Sequence, residues 1–203
     1  SDEAEKYSAA AFATKHEDAI YFSKRVTRAV PDGGPIEAHT DLVKKLDYEC
    51  ELAVVLGRDA RDVPAGQTRD YIFGYTILND VSARDVQTAH KQWYFGKSLD
   101  GFTPIGPCIV TADAFADYPP RLGIRSFVNG EKRQDSNTAL QIFDIDHVIA
   151  ELSQGMTLKA GTIIATGTPA GVGMGMDPPQ FLKPGDVVRC EIDGIGTLTN
   201  PVR

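Results

Sequence analysis

The chain has 203 residues, a formal net charge of -7 and a pI near 5.1. An acidic balance with no basic tract excludes nucleic acid and anionic membranes as natural partners, and no apolar run approaches the roughly 20 residues that cross a bilayer. No positively charged leader precedes an apolar stretch of signal type, so the chain reads as one soluble, cytoplasmic domain with a substantial core.

In chain order, residues 1 to 19 are polar and alanine-rich, helical at most, and expected to be mobile. Ala19–Ser23 reads as a short strand and Pro31–Thr40 as a loop. Leu46, Leu52, Ala53, Val54, Val55 and Leu56 then embed Glu49 and Glu51 in an apolar, β-branched run that stops at Gly57. On one continuous strand the two acids face the same way, roughly 7 Å apart at Cα, while Cys50 faces the other. The bland reading is an edge strand with its acids in solvent. The apolar flanks favour burial instead, and a buried pair of like charges calls for a cation.

Gln67–Phe73 allows one helical turn, and Tyr75–Asp80 is an apolar run ending in a third acid, Asp80, where the chain turns polar. Three hard oxygen ligands suit Mg²⁺ or Mn²⁺, whereas zinc lacks a His or Cys cluster with ligand spacing. Ser82-Ala83-Arg84-Asp85 has capping-box form and predicts a helix to about Lys91, with Asp85 as the capping acid. Arg84 and Gln87 share a face of that helix. The Arg84 guanidinium is suited either to anchoring a carboxylate or to a plain surface ion pair. His90 reads as a packed or surface residue. Gly96-Lys97-Ser98 lacks the upstream glycine and following helix of a phosphate loop, so Lys97, among aromatics, reads as a desolvated ammonium that would pair with a substrate anion.

Ile105–Val110 and Leu122–Val128 read as strands, with Asn129-Gly130 a hairpin turn. Asp144–Gln154 has helical spacing, with Asp144 as cap, Gly155 as stop and His147 exposed. Thr162–Ala165 is a strand. The glycine-rich Gly167–Gly175 has the wrong spacing for a dinucleotide, and Asp177-Pro178-Pro179 prevents the helix such a site needs. Its N–H groups and the Thr168 hydroxyl would suit one carboxylate, or the loop is conformational only. Val187–Ile192 and Gly196–Thr199 form a closing hairpin through Asp193-Gly194. Cys50, Cys108 and Cys190, in apolar surroundings, are expected to be reduced and buried. Strands outnumber helices without βαβ alternation, which gives a β-rich α+β class.

Asp47-Tyr48-Glu49-Cys50-Glu51-Leu52-Ala53-Val54-Val55-Leu56-Gly57, Asn79-Asp80-Val81-Ser82-Ala83-Arg84-Asp85, Gly96-Lys97-Ser98 and Thr166-Gly167-Thr168-Pro169-Ala170-Gly171-Val172-Gly173 together resemble the fumarylacetoacetate hydrolase superfamily, in order over nearly the whole chain. The resemblance implies a mixed β-sandwich roll, commonly homodimeric. It implies Glu49, Glu51 and Asp80 as ligands of Mg²⁺ or Mn²⁺, and substrate or catalytic contacts for Arg84, Gln87, Lys97 and Thr168. It also implies a lid motif, Asn-Tyr-x-x-His-x-x-Glu, whose His and Glu activate water. Here either alignment lacks the dyad, with Glu3 and Lys6, or Ala10, at its positions. His16-Glu17 has the wrong spacing and reads as a solvated loop. Residues 1–18 are therefore expected to be a lid remnant, the upstream sequence being absent. The implied activity is metal-dependent C–C cleavage of a small 2-oxo acid. Oxaloacetate decarboxylation, which needs no nucleophilic water, and acylpyruvate hydrolysis stand ahead of an isomerase or hydratase of the homoprotocatechuate pathway. A non-catalytic 2-oxo acid-binding protein is the alternative from another class.

Overall fold

The computed structural model describes residues 18–203; the expected lid remnant up to residue 17, with the His16-Glu17 pair, falls outside them. The strands are β1 (Leu46–Asp47), β2 (Cys50–Leu56), β3 (Ile72–Asn79), β4 (Ser82–Ala83), β5 (Ile105–Thr111), β6 (Gly123–Val128), β7 (Glu131–Asn137), β8 (Ile163–Ala165), β9 (Val187–Ile192) and β10 (Gly196–Pro201). Three short helices join them, α1 (Arg84–Ala89), α2 (Tyr94–Lys97) and α3 (Ile145–Leu152), and a 3₁₀ turn at Thr68–Tyr71 fills the predicted helical turn.

One four-stranded sheet has the order β5-β3-β2-β8, a second β10-β9-β6-β7, and β1 pairs with β4 alone. Every pair of these strands is antiparallel, and parallel pairing is confined to the isolated bridges Val30–Pro104 and Ile36–Val202. This is the β-rich α+β fold expected. β6 and β9 alternate buried and more open residues, as strands with one face on a core do. β2, flanked by β3 and β8, is buried along all seven residues. Val54, Tyr75 and Ile77 of the first sheet and Ile124, Val188, Ile192 and Leu198 of the second belong to one core.

Local signals hold where their hydrogen bonds are local. Asn129 and Gly130 both take positive φ, 52° and 84°, as a tight β6–β7 hairpin requires. Asp144 accepts the His147 N–H at 2.8 Å and caps α3, and Gly155 beyond its end has φ 73°. His147 is exposed, as read.

Four expectations are corrected. Ala19–Ser23 forms no strand: Ile20, Tyr21 and Phe22 stay exposed, and the segment is tied down by side chains, Tyr21 Oη donating to Glu151 Oε2. Leu46–Leu56 is two strands, because Leu46 and Asp47 pair with β4 whereas Cys50 onward pairs with β3, leaving Tyr48 and Glu49 between them. The Ser82 capping box does not form. Ser82 lies in β4 and donates to the Asp80 carbonyl, Ala83 precedes the helix without a side-chain cap, Asp85 accepts the Lys44 N–H, and α1 ends at Ala89. Cys108, finally, is exposed on the edge strand β5, while Cys50 and Cys190 are buried thiols.

Candidate metal centre

The β1–β4 pairing carries the β2 entry and the β3 exit to one place. There Asp80 donates its N–H to the Glu49 carbonyl at 2.8 Å, and Asn79 Oδ1 accepts the Glu49 N–H at 3.0 Å. This clasp holds Glu49 after the strand has broken. Glu49, Glu51 and Asp80 are all buried, and one oxygen of each lies within 4.8 Å of the others. The three predicted acids therefore converge.

Cations pack on two of them. Lys97, at the C-terminal end of α2, puts Nζ 2.8 Å from Glu49 Oε2 and 2.8 Å from Asp80 Oδ2. Its helix approaches α1 closely because position 96 is Gly; a Cβ there would stand 2.6 Å from the Gln87 nitrogen. Lys97 is buried, with the Phe22 ring 5.5 Å from Nζ and Phe22 edge-on to Trp93. Arg84 Nη1 lies 2.6 Å from Glu49 Oε1 and 3.3 Å from Gln87 Oε1, while Nε donates to Asp47 Oδ2 at 3.0 Å. Its Nη2 is buried without a hydrogen-bond partner.

Sequence reasoning missed four participants. Lys24 extends from the irregular segment to donate to Asp80 Oδ1 and to the Phe102 carbonyl, each at 2.6 Å. Asn79 holds Glu49, as above. Asp47, fully buried, accepts from Arg84 Nε, Gly173 N at 2.7 Å and Met174 N at 3.0 Å. A Cβ on Gly173 would fall 2.0 Å from the Gln180 carbonyl and 2.7 Å from Asp47 Oδ1, so only glycine fits there. Gln134 of β7 bonds the backbone between the two glutamates. Asp47 and Asn79 stand inside the quoted motifs without a role assigned to them, and no local pattern marked the other two: a single Lys beyond an apolar triplet and a Gln in a polar strand look like surface.

The glycine-rich loop does suit carboxylates, but the ones it holds are the protein's own: Gly167 N donates to Glu51 Oε2 at 2.7 Å, and Gly173 and Met174 serve Asp47. Thr168 Oγ1 donates to the Cys50 carbonyl at 3.0 Å and accepts from Gln134 Nε2 at 2.8 Å.

Electrostatics set Glu51 apart. Among the described residues, four buried carboxylates (Asp47, Glu49, Glu51, Asp80) meet three cations (Lys24, Arg84, Lys97), and none of these ion pairs involves Glu51. Burial, then the charges of Asp80 and Glu49, push the Glu51 pKa well above its ordinary value. For Asp80 burial acts upward too, but Lys97 and Lys24 outweigh it and its pKa falls. Burial opposes the Lys97 and Arg84 charges, yet their acidic neighbours win and both pKa values rise; Lys24 is lowered, burial exceeding the pull of Asp80. A buried carboxylate in excess of the available cations, within reach of two others, fits a hard dication bound through oxygen.

The fumarylacetoacetate (FAA) hydrolase C-terminal family matches residues 2–203. The chain belongs to this family. Among its relatives are an uncharacterized protein of Staphylococcus epidermidis, 48% identical over 90% of this chain and 60% of the relative, and oxaloacetate tautomerase YisK of Bacillus subtilis, 45% identical over 92% of this chain and 62% of the relative. The chain thus spans about three fifths of the curated relatives it matches. Similar solved structures include a fumarylacetoacetate hydrolase from Exiguobacterium antarcticum (TM-score 0.90, 48% identity, 94% of this chain and 68% of that one). A 5-carboxymethyl-2-hydroxymuconate delta-isomerase from Mycobacterium smegmatis is also similar (TM-score 0.82, 42% identity, 92% and 70%).

Proposed function

We propose that this protein is a divalent-metal-dependent enzyme that forms the enolate of a small 2-oxo acid, with oxaloacetate as the substrate class and keto–enol tautomerisation as the reaction. The observation that carries it is the convergence of Glu49, Glu51 and Asp80 with one carboxylate unpaired. These three would hold Mg²⁺ or Mn²⁺, which when bound supplies Lewis acidity to polarise a 2-oxo group. Lys97 and Lys24 set positive charge beside the acids, where negative charge on a substrate oxygen would grow. The unpartnered Arg84 Nη2, on a guanidinium fixed by Asp47 and Gln87, offers a donor to a substrate carboxylate. Lys24 Nζ, as an ammonium, is the group suited to donate a proton to C3 of the enol and, as the amine so formed, to recover the enol hydroxyl proton, reaching the acids from the exposed segment 20–26.

Proton transfer stands ahead of hydrolysis because hydrolysis also needs a base for water. The described histidines are elsewhere: His39 bonds the Asp100 carbonyl, His90 packs on Phe95, and His147 stacks on Phe143. The similarity to a protein named oxaloacetate tautomerase favours the same reading. C–C cleavage is the other fate of the same enolate, so the assay follows both. With Mn²⁺, enol absorbance should relax faster than the uncatalysed rate without pyruvate release. Pyruvate appearing at the same rate would assign decarboxylation, and neither signal, or activity persisting in excess chelator, would overturn the reading.

The homodimer implied by the family is also a proposal. β5 is an edge strand with Ile109 and Cys108 exposed, and Phe73 is exposed on the neighbouring strand; an apolar open edge is a surface for a second copy. Sedimentation equilibrium should give twice the chain mass, and Ile109→Lys should shift it to one.

A further inference from the structure

We infer that Gln134 is a positioning residue for the metal centre: its side-chain amide, closed by the Thr168 hydroxyl, holds both peptide groups of Cys50 and thereby fixes the spacing of Glu49 and Glu51. The inference rests on the metal reading above and adds to it a role for two residues outside the acid cluster.

β8 covers the edge of β2 only from Ala53 to Val55, and Thr166 carries the contact as far as the Leu52 carbonyl. Toward Glu49 the edge has no strand beside it. In an antiparallel strand the N–H and C=O of one residue point to the same side, so Cys50 would leave a buried donor and a buried acceptor unpaired there, which is costly. Gln134 Oε1 accepts the Cys50 N–H at 3.1 Å, and Thr168 Oγ1 donates to the Cys50 carbonyl at 3.0 Å. Gln134 Nε2 donates to Thr168 Oγ1 at 2.8 Å and closes the ring. A side-chain amide thus stands in for the missing strand.

The amide has one workable orientation. Oε1 also accepts from Ser126 Oγ, and Nε2 also donates to the Pro169 carbonyl, both at 2.8 Å; a flipped amide would set Nε2 against the Cys50 N–H and Oε1 against the Pro169 carbonyl. Gln134 is fully buried and every hydrogen-bonding group of its side chain is used. The ring also decides what Thr168 does: its single hydroxyl proton goes to Cys50, so it holds the acid strand rather than donating to substrate. Since Cys50 lies between two candidate ligands, a slack peptide there would move both carboxylates at once.

The test is Mn²⁺ affinity without substrate, followed by electron paramagnetic resonance, for the wild type, Gln134→Met, Thr168→Val, the double variant and Thr168→Ser, with thermal midpoints in parallel. Each single loss should weaken Mn²⁺ by about tenfold, the scale for outer partners of metal ligands. The double variant should be no weaker than the worse single, because the ring acts as a unit, and Thr168→Ser should restore affinity. Should Gln134→Met fail to fold, the Thr168→Val and Thr168→Ser pair decides. Wild-type Mn²⁺ affinity in Thr168→Val with only a raised KM for the 2-oxo acid would make Thr168 a substrate contact and overturn the inference. So would losses that multiply in the double variant. A wild type with no stoichiometric Mn²⁺ site fails before any variant is made, and overturns the metal reading itself.

Discussion

Glu51→Gln should abolish Mn²⁺ binding and lower turnover by about 10³-fold, on the order of 4 kcal/mol in the barrier, without destabilising the metal-free fold. The two halves of that result have one cause. Among the described residues Glu51 is the buried carboxylate of the cluster that no lysine or arginine pairs with, so its charge is open to a cation that arrives from outside. Glutamine keeps the shape and can still accept the Gly167 N–H, while the repulsion from Asp80 and Glu49 disappears. A variant that loses metal affinity together with its thermal midpoint would instead make Glu51 structural.

The same residue sets the direction of a pH effect. The folded Glu51 pKa is raised, first by burial and then by Asp80 and Glu49. At pH below the ordinary value of 4.5 the group is neutral folded and unfolded, and nothing is lost. As pH climbs above 4.5 the unfolded chain ionises while the native site resists, so metal-free stability declines toward the folded pKa. Asp80 acts in a separate window: its pKa is lowered from 3.8, so its contribution is present above that value and is lost on acidification through the folded pKa. Denaturant melts of metal-free protein should show the decline above pH 4.5 in the wild type and a flatter profile in Glu51→Gln. Mn²⁺ affinity should rise with pH, because binding displaces the Glu51 proton.

Lys97→Met should destabilise the metal-free protein by about 3–5 kcal/mol, the scale for breaking a buried ion pair on one side. Lys97 Nζ joins Glu49 and Asp80, so its loss leaves two acids facing Glu51 with only Arg84 and Lys24 to answer them. A dication can replace that charge. Saturating Mn²⁺ should therefore recover much of the stability while turnover stays low, since Lys97 is also the ammonium beside the proposed reacting oxygen. Urea melts with and without Mn²⁺ check this, and equal destabilisation in both would show that the acids do not share a metal.

The acids themselves were legible because an acid inside an apolar run is a local anomaly. Glu49 and Glu51 in Leu46–Leu56, and Asp80 closing Tyr75–Asp80, announce burial that only a cation makes tolerable. Even so, same-face spacing along one strand does not account for the pair. The run is two strands with different partners, and what brings Glu49 to Glu51 is the clasp of Asn79 and Asp80 on the Glu49 backbone. Ser82 shows the same limit: its spacing to Asp85 matches a cap, but pairing of Ser82 with Asp47 decided its conformation.

By itself the sequence determined the features whose causes lie within a few residues. These are the Asn129-Gly130 hairpin from positive φ, the Asp144 cap from a bond three residues on, the buried acids from their flanks, and the family from four motifs in order. Only the tertiary structure decided which cation answers which acid. It brought Lys24 to Asp80 across 56 residues, Gln134 to Cys50 across 84 and the glycine loop to Asp47 across 126. Such partners share no periodicity or spacing that a chain can display, because what selects them is the cost of leaving a buried charge or peptide group unpaired, and that cost exists only once the sheets have closed over it.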